Sequence, residues 1–164
     1  MTSKNQIKIV AEPGKQELYI YREFDAPREA VYRAFVEPDL VVQWLGPLNM
    51  EMRIDKYDIR TGGSYRYIHA DGKGNEYAFN GVVHEAIAPE RVIQTFEFEG
   101  LPERGHVSLD TALFEVLPNN RTRLVMHSVF RSLMARDGMI MSGMERGLSE
   151  GFARLDELLT VKVS

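Results

Sequence analysis

Residues 142–160 read SGMERGLSEGFARLDELLT. Met144, Leu148, Phe152, Leu155 and Leu159 recur at spacings of three and four, which puts them on one side of a helix and leaves Glu145, Arg146, Glu150 and Glu157 to solvent. Ser142 and Glu145 have the capping-box spacing, so the helix is expected to open at Ser142 and to run to about Thr160. A stripe of this length has to be buried against something. The stretch before it supplies the surface, because from residue 51 to 130 the apolar period changes from 3.6 to two.

Six such runs are expected as strands, near 51–59, 64–70, 76–87, 91–99, 107–117 and 121–130. Between them lie Gly62-Gly63, the stretch Asp71 to Asn75, Ala88-Pro89-Glu90, Gly100-Leu101-Pro102 and Pro118-Asn119-Asn120, all compositions of turns. Upstream, 7–10 and 17–24 make two further strand segments around a Pro13-Gly14 turn. Asp25 is read as the N-cap of a first helix striped by Val31, Ala34 and Phe35, and 39–45 as a second short helix stopped at Gly46-Pro47. The expected fold class is α+β: a curved antiparallel sheet wrapped around a long C-terminal helix, with two short helices after the first strands.

Composition narrows the function. The 164 residues, 44% hydrophobic and 27% charged, suit a globular core and exclude disorder. A net charge of -4 offers no basic surface for phosphates, so nucleic acid is not an expected partner. Cysteine is absent, which excludes thiol nucleophiles, thiolate metal sites and disulfides. No run approaches the roughly 20 apolar residues of a membrane span and Met1 to Lys8 lacks a signal-peptide core, so the expected location is cytoplasmic.

The motifs Arg22-Glu23-Phe24-Asp25-Ala26-Pro27-Arg28, Gln43-Trp44-Leu45-Gly46-Pro47, Thr61-Gly62-Gly63-Ser64-Tyr65-Arg66, Gly81-Val82-Val83-His84-Glu85 with Pro89-Glu90-Arg91, and Ser142-Gly143-Met144-Glu145-Arg146-Gly147 resemble, in order, the START-like (SRPBCC) helix-grip superfamily. The nearest branch is similar to the C-terminal domain of the activator of Hsp90 ATPase homologue 1. The resemblance implies one domain over 1–164 and a cavity between the concave sheet and the C-terminal helix. It implies no cofactor. The superfamily holds lipid carriers, aromatase/cyclases and ligand-sequestering proteins on one scaffold, so fold alone does not set function.

If the cavity is there, strand alternation selects its walls. Tyr65, Tyr67 and His69 share one face of their strand, Tyr77 and Phe79 one face of the next, and Gln94, Phe96 and Phe98 continue the wall, with Met126 and Ser128 from the last strand. Met144, Leu148 and Phe152 face them from the helix, and Trp44, Met139 and Met141 are placed at the mouth. An aromatic stripe of this kind serves equally as plain core, and Trp44 is read first as a wedge holding the second helix to the sheet and second as a ligand contact. His69 is the one candidate for acid/base chemistry. No histidine pair has the i, i+4 spacing of a zinc site, so no metal is expected. His84 falls on the opposite parity from Tyr77 and Phe79 unless a bulge intervenes.

The first functional expectation is a binding protein for an apolar, aromatic or lipid-like small molecule. The alternatives are a polyketide cyclase, aromatase or dehydratase-like enzyme using His69 with a tyrosine, and a chaperone-contacting ATPase activator. Edge strands and the helix face also permit a homodimer.

Overall fold

The computed structural model describes residues 5–161. Eight strands, β1 (Lys8–Val10), β2 (Glu17–Phe24), β3 (Glu51–Tyr57), β4 (Ser64–Ala70), β5 (Glu76–Ile87), β6 (Arg91–Phe98), β7 (Ser108–Leu117) and β8 (Arg121–Val129), form one antiparallel sheet in the order β1-β2-β8-β7-β6-β5-β4-β3. Consecutive strands from β3 to β8 pair as a meander. The sheet is completed when β2 pairs with β8 along its whole length, from Glu17 opposite Val129 to Phe24 opposite Thr122.

Four helices accompany the sheet: α1 (Arg28–Val36), α2 (Pro38–Val41), α3 (Leu133–Met141) and α4 (Met144–Val161). The α4 stripe lies on the concave face of the sheet. Its second half is sealed, with Phe152, Leu155, Leu158 and Leu159 buried together with Phe24, Val31, Trp44, Phe114 and Leu124. The Phe152 ring meets Phe24 edge-on at 5.5 Å and stacks on Trp44 at 5.9 Å. The indole Nε1 donates to the Ala34 carbonyl at 2.9 Å, which satisfies the one polar atom of a side chain only 1% exposed. Beside this core Arg22, also buried, donates two hydrogen bonds to Asp156 of α4 at 2.7 and 3.0 Å. Removing either partner of such a pair leaves an uncompensated buried charge, so the pair fixes the seating of α4 on β2.

Several local expectations are corrected. Asp25 does not cap α1, whose N-cap position is Pro27 with no side-chain cap. Its carboxylate is engaged by Arg121 at 2.6 Å and by Asn5 at 2.9 Å, a charge-assisted arrangement that a free amide does not match. The capping box at Ser142 does not form. Residues 133–141 make a separate helix, α3, capped by Ser132, whose hydroxyl accepts from the Ala135 amide at 3.0 Å. Ser142 closes that helix by donating to the Met139 carbonyl at 2.6 Å, and Gly143 turns the chain at φ +90 before α4 starts. The second short helix spans only Pro38–Val41.

Candidate functional site

The concave face has a sealed end and an open one. Val83, Val92, Phe114 and Leu124 are buried under α1 and the second half of α4. Phe79, Gln94, Phe96, Phe98, Asp110 and Met126, on the same face, keep accessible surface, as do Met144 and Leu148 in the first half of α4. The result is a face that is partly accessible at one end.

The accessible end is aromatic and continuous. Tyr67 stacks on Phe79 at 5.2 Å, Phe79 lies 5.4 Å from Phe96 and 5.2 Å from Phe98, and Tyr77 extends the series at 6.3 Å from Phe98. Tyr65 joins it at 6.0 Å from Tyr67, and His69 at 5.2 Å from Tyr67 and 5.4 Å from Phe79.

Tyr65 crosses the neighbouring strand. Its hydroxyl donates to the Thr95 carbonyl on β6 at 2.5 Å, which requires the ring to lie flat over Gly81 of β5. A Cβ at position 81 would stand 2.5 Å from the Tyr65 hydroxyl and 2.0 Å from the Thr95 oxygen, so glycine is what this approach demands. The Thr95 hydroxyl in turn accepts the Val82 amide at 2.9 Å.

His69 sits at the rim, its ring against Gly46, where a Cβ would come within 2.8 Å of Cε1 and Nε2. Gly46 is held from the other side by Arg154, which donates to its carbonyl. Loss of hydration, with the Arg154 charge adding to it, pulls the imidazole down to about 4. His69 is therefore neutral at physiological pH, and its buried Nε2 has no partner among the described residues.

A polar row interrupts the aromatic surface. Gln94, Asp110 and Ser128 are direct cross-strand neighbours on β6, β7 and β8. Ser108 donates to an Asp110 carboxylate oxygen at 3.0 Å. Burial raises the Asp110 carboxyl to about 6, because the hydrogen bonds from Ser128 and Ser108 only partly replace lost water. The Gln94 Oε1 is buried with no donor. Tyr57, Tyr65 and Tyr67 are all pushed upward by burial and hold their protons. Among the described residues no group of three His, Cys, Asp or Glu side chains is gathered for a metal.

Two concavities lie elsewhere. One, of about 20 Å³, borders Val10, Glu12, Lys15, Glu17 and Tyr19. The other, of about 520 Å³, is an apolar depression on the outer face of the sheet bounded by Thr61, Gly62, Val82, Val83, His84, Ile93, Thr95 and Leu109. His84 points outward by alternation from Val83, and a bulge follows between Val83 and Glu85.

The model of the activator of Hsp90 ATPase homolog 1-like proteins matches residues 25–160. The chain belongs to that family. A Rhodobacter sphaeroides protein is 25% identical over 94% of this chain and 98% of its own, with a TM-score of 0.84. A Mycobacterium smegmatis protein has the same TM-score at 21% identity, covering 95% and 98%. An AHSA1 protein from Silicibacter pomeroyi follows at 22% identity and a TM-score of 0.73, covering 89% and 99%. No curated protein matches.

In this family member the residues selected by alternation separate into two groups. Tyr65, Tyr67, His69, Tyr77, Phe79, Gln94, Phe96, Phe98, Met126 and Ser128 share the concave face, with Met144 and Leu148 opposite. Trp44 and Phe152 lie in the sealed core. Met139 packs toward Leu18, Ile20 and Phe130, while Met141 is 84% exposed. Ser108, Asp110 and Arg154 were not anticipated. For Asp110 the signal was ambiguous, because Leu109 and Leu113 compete with Ala112 and Phe114 for the inward parity of β7, and the larger pair faces outward.

Proposed function

We propose that the protein binds a small molecule with an apolar or aromatic body in the cleft between β4–β8 and the first half of α4. The observation that carries this reading is the pairing of a partly accessible aromatic wall with the buried Gln94 Oε1, which has no donor among the described residues, and the desolvated Asp110 carboxyl beside it. A wall that served only as core would be expected to be sealed like Phe114 and Phe152 and to leave no acceptor without a donor. Binding sites combine such apolar area with a few orienting polar groups. Catalysis of the cyclase kind receives less support: the tyrosines are shifted away from phenolate and His69 is a weak base.

Native mass spectrometry of the purified protein, gentle and then denaturing, together with a melting-temperature screen against lipids and aromatic compounds, tests the proposal. A stoichiometric organic species or a shift of several degrees is expected. Absence of both overturns it.

A second reading is favoured by the outer depression, where Val82 and Leu109 are 56% and 48% exposed. It suits a partner contact of the kind that the family's name describes. Val82→Asp would abolish such a contact and leave small-molecule binding unchanged.

A further inference from the structure

We infer that the ligand of the cleft is an organic cation, a protonated amine on an apolar or aromatic body, and that Asp110 receives its charged end. This rests on the binding reading above and specifies its ligand class. The placement of acceptors is the reason. Gln94 and Asp110 face each other across the β6–β7 ladder, on the concave side. Asp110 takes its hydrogen bonds from Ser108 and Ser128, and among the described residues no cation lies within ion-pairing distance of it. His127, the basic group whose charge Asp110 feels, stands on the outer face of the sheet and is bonded to Glu17 at 2.6 Å. The neighbouring Gln94 Oε1 has no donor among the described residues. What Gln94 and Asp110 lack is therefore a donor on the amide oxygen and a positive charge beside the carboxyl.

The surroundings fit the same occupant. Phe79 is stacked between Tyr67 and Phe96, and Phe96, opposite Ser108 and two residues from Gln94, brings aromatic surface to the row, where an open ring face attracts a cation through its quadrupole. A hydroxyl has one proton and could satisfy Asp110 or Gln94, but not both. An ammonium group has three donors and satisfies the carboxylate and the amide oxygen together. A carboxylate ligand meets the repulsion of the Asp110 charge.

Isothermal titration calorimetry at pH 8 with three probes that share one body separates these cases: 2-(naphthalen-2-yl)ethylamine, 2-(naphthalen-2-yl)ethanol and 2-naphthylacetate. The amine should bind at least tenfold more tightly than the alcohol, and the acetate most weakly. Asp110→Asn should lower amine affinity at least tenfold and leave the alcohol within twofold, with an unchanged circular dichroism spectrum as the check on folding. The ranking of the three probes on the unaltered protein stands as a test even where the variant does not fold. Equal binding of amine and alcohol overturns the cation while leaving the binding site in place. Amine preference that survives Asp110→Asn overturns the role given to Asp110. Failure of all three probes to bind overturns this inference and the binding reading together.

Discussion

Replacing Asp110 by Asn should stabilise the protein, an unusual outcome for a side chain facing the interior. In the fold the carboxyl sits near 6, against an ordinary value of 3.8, and burial is the main cause. The folded state thus holds the proton more tightly than the unfolded one, and stability falls as pH rises from about 4 to about 6, after which the cost is constant. A shift of about 2 pH units corresponds to roughly 3 kcal/mol at 1.36 kcal/mol per unit. Because Asp110 keeps some accessible surface, the realised gain at pH 7.5 is expected between about 1 and 3 kcal/mol. Asn preserves the acceptor for the Ser108 hydroxyl and removes the charge. Urea unfolding of both proteins at pH 7.5 and 4.5 reads the effect, and the gain should shrink to about a third at the lower pH. An Asn variant no more stable at pH 7.5, or a gain independent of pH, would refute the assignment of Asp110 as a desolvated carboxylate.

His69 has the opposite sign. Its folded value of about 4 lies below the ordinary 6.5, so its contribution is complete above 6.5 and is lost as pH falls toward 4. His69→Phe should therefore lose about 2 kcal/mol less stability between pH 7.5 and 4.5 than the unaltered protein does, and an identical acid profile in urea titrations counts against a buried neutral imidazole. Gly81→Ala should cost at least about 3 kcal/mol, because the new Cβ displaces Tyr65 from Thr95, and Tyr65→Phe about 1–3 kcal/mol. Since both break the same contact, the double variant should be less destabilised than the sum; strict additivity would show the two positions to be independent.

The elements that proved readable are those whose side chains repeat. The α4 stripe and the strands from β3 to β8 emerge from periods of 3.6 and two, and Tyr65, Tyr67 and His69 fall on the concave face by parity alone. Helix α3 was not readable, since Leu133–Met141 has a glycine at its sixth position and methionines on both sides, and its cap Ser132 resembles any loop serine. Asp25 and Ser142 satisfy local capping patterns, but Asp25 is claimed by Arg121, far away in sequence, and Ser142 by the end of α3, a helix whose pattern is not readable. Phe152 belongs to the right stripe, yet its depth along α4 is set by Trp44 and Phe24, which approach it from other parts of the chain. Asp110 is concealed because a charged residue inside a sheet contradicts the pattern used to find the inside.

The bond from Tyr65 to Thr95 gives one residue two audiences. Its carbonyl answers to the cleft, while its hydroxyl, bonded to the Val82 amide, borders the depression on the outside. At this spot a single peptide thickness separates the two surfaces, and the ladder between β5 and β6 is stitched by side chains in place of backbone pairs. A guest that tilts the Tyr65 ring thereby alters the support of Val82 directly. The Val82 amide is thus a natural place for an exchange or chemical-shift reporter, able to sense from the outer surface whether the inner one is occupied.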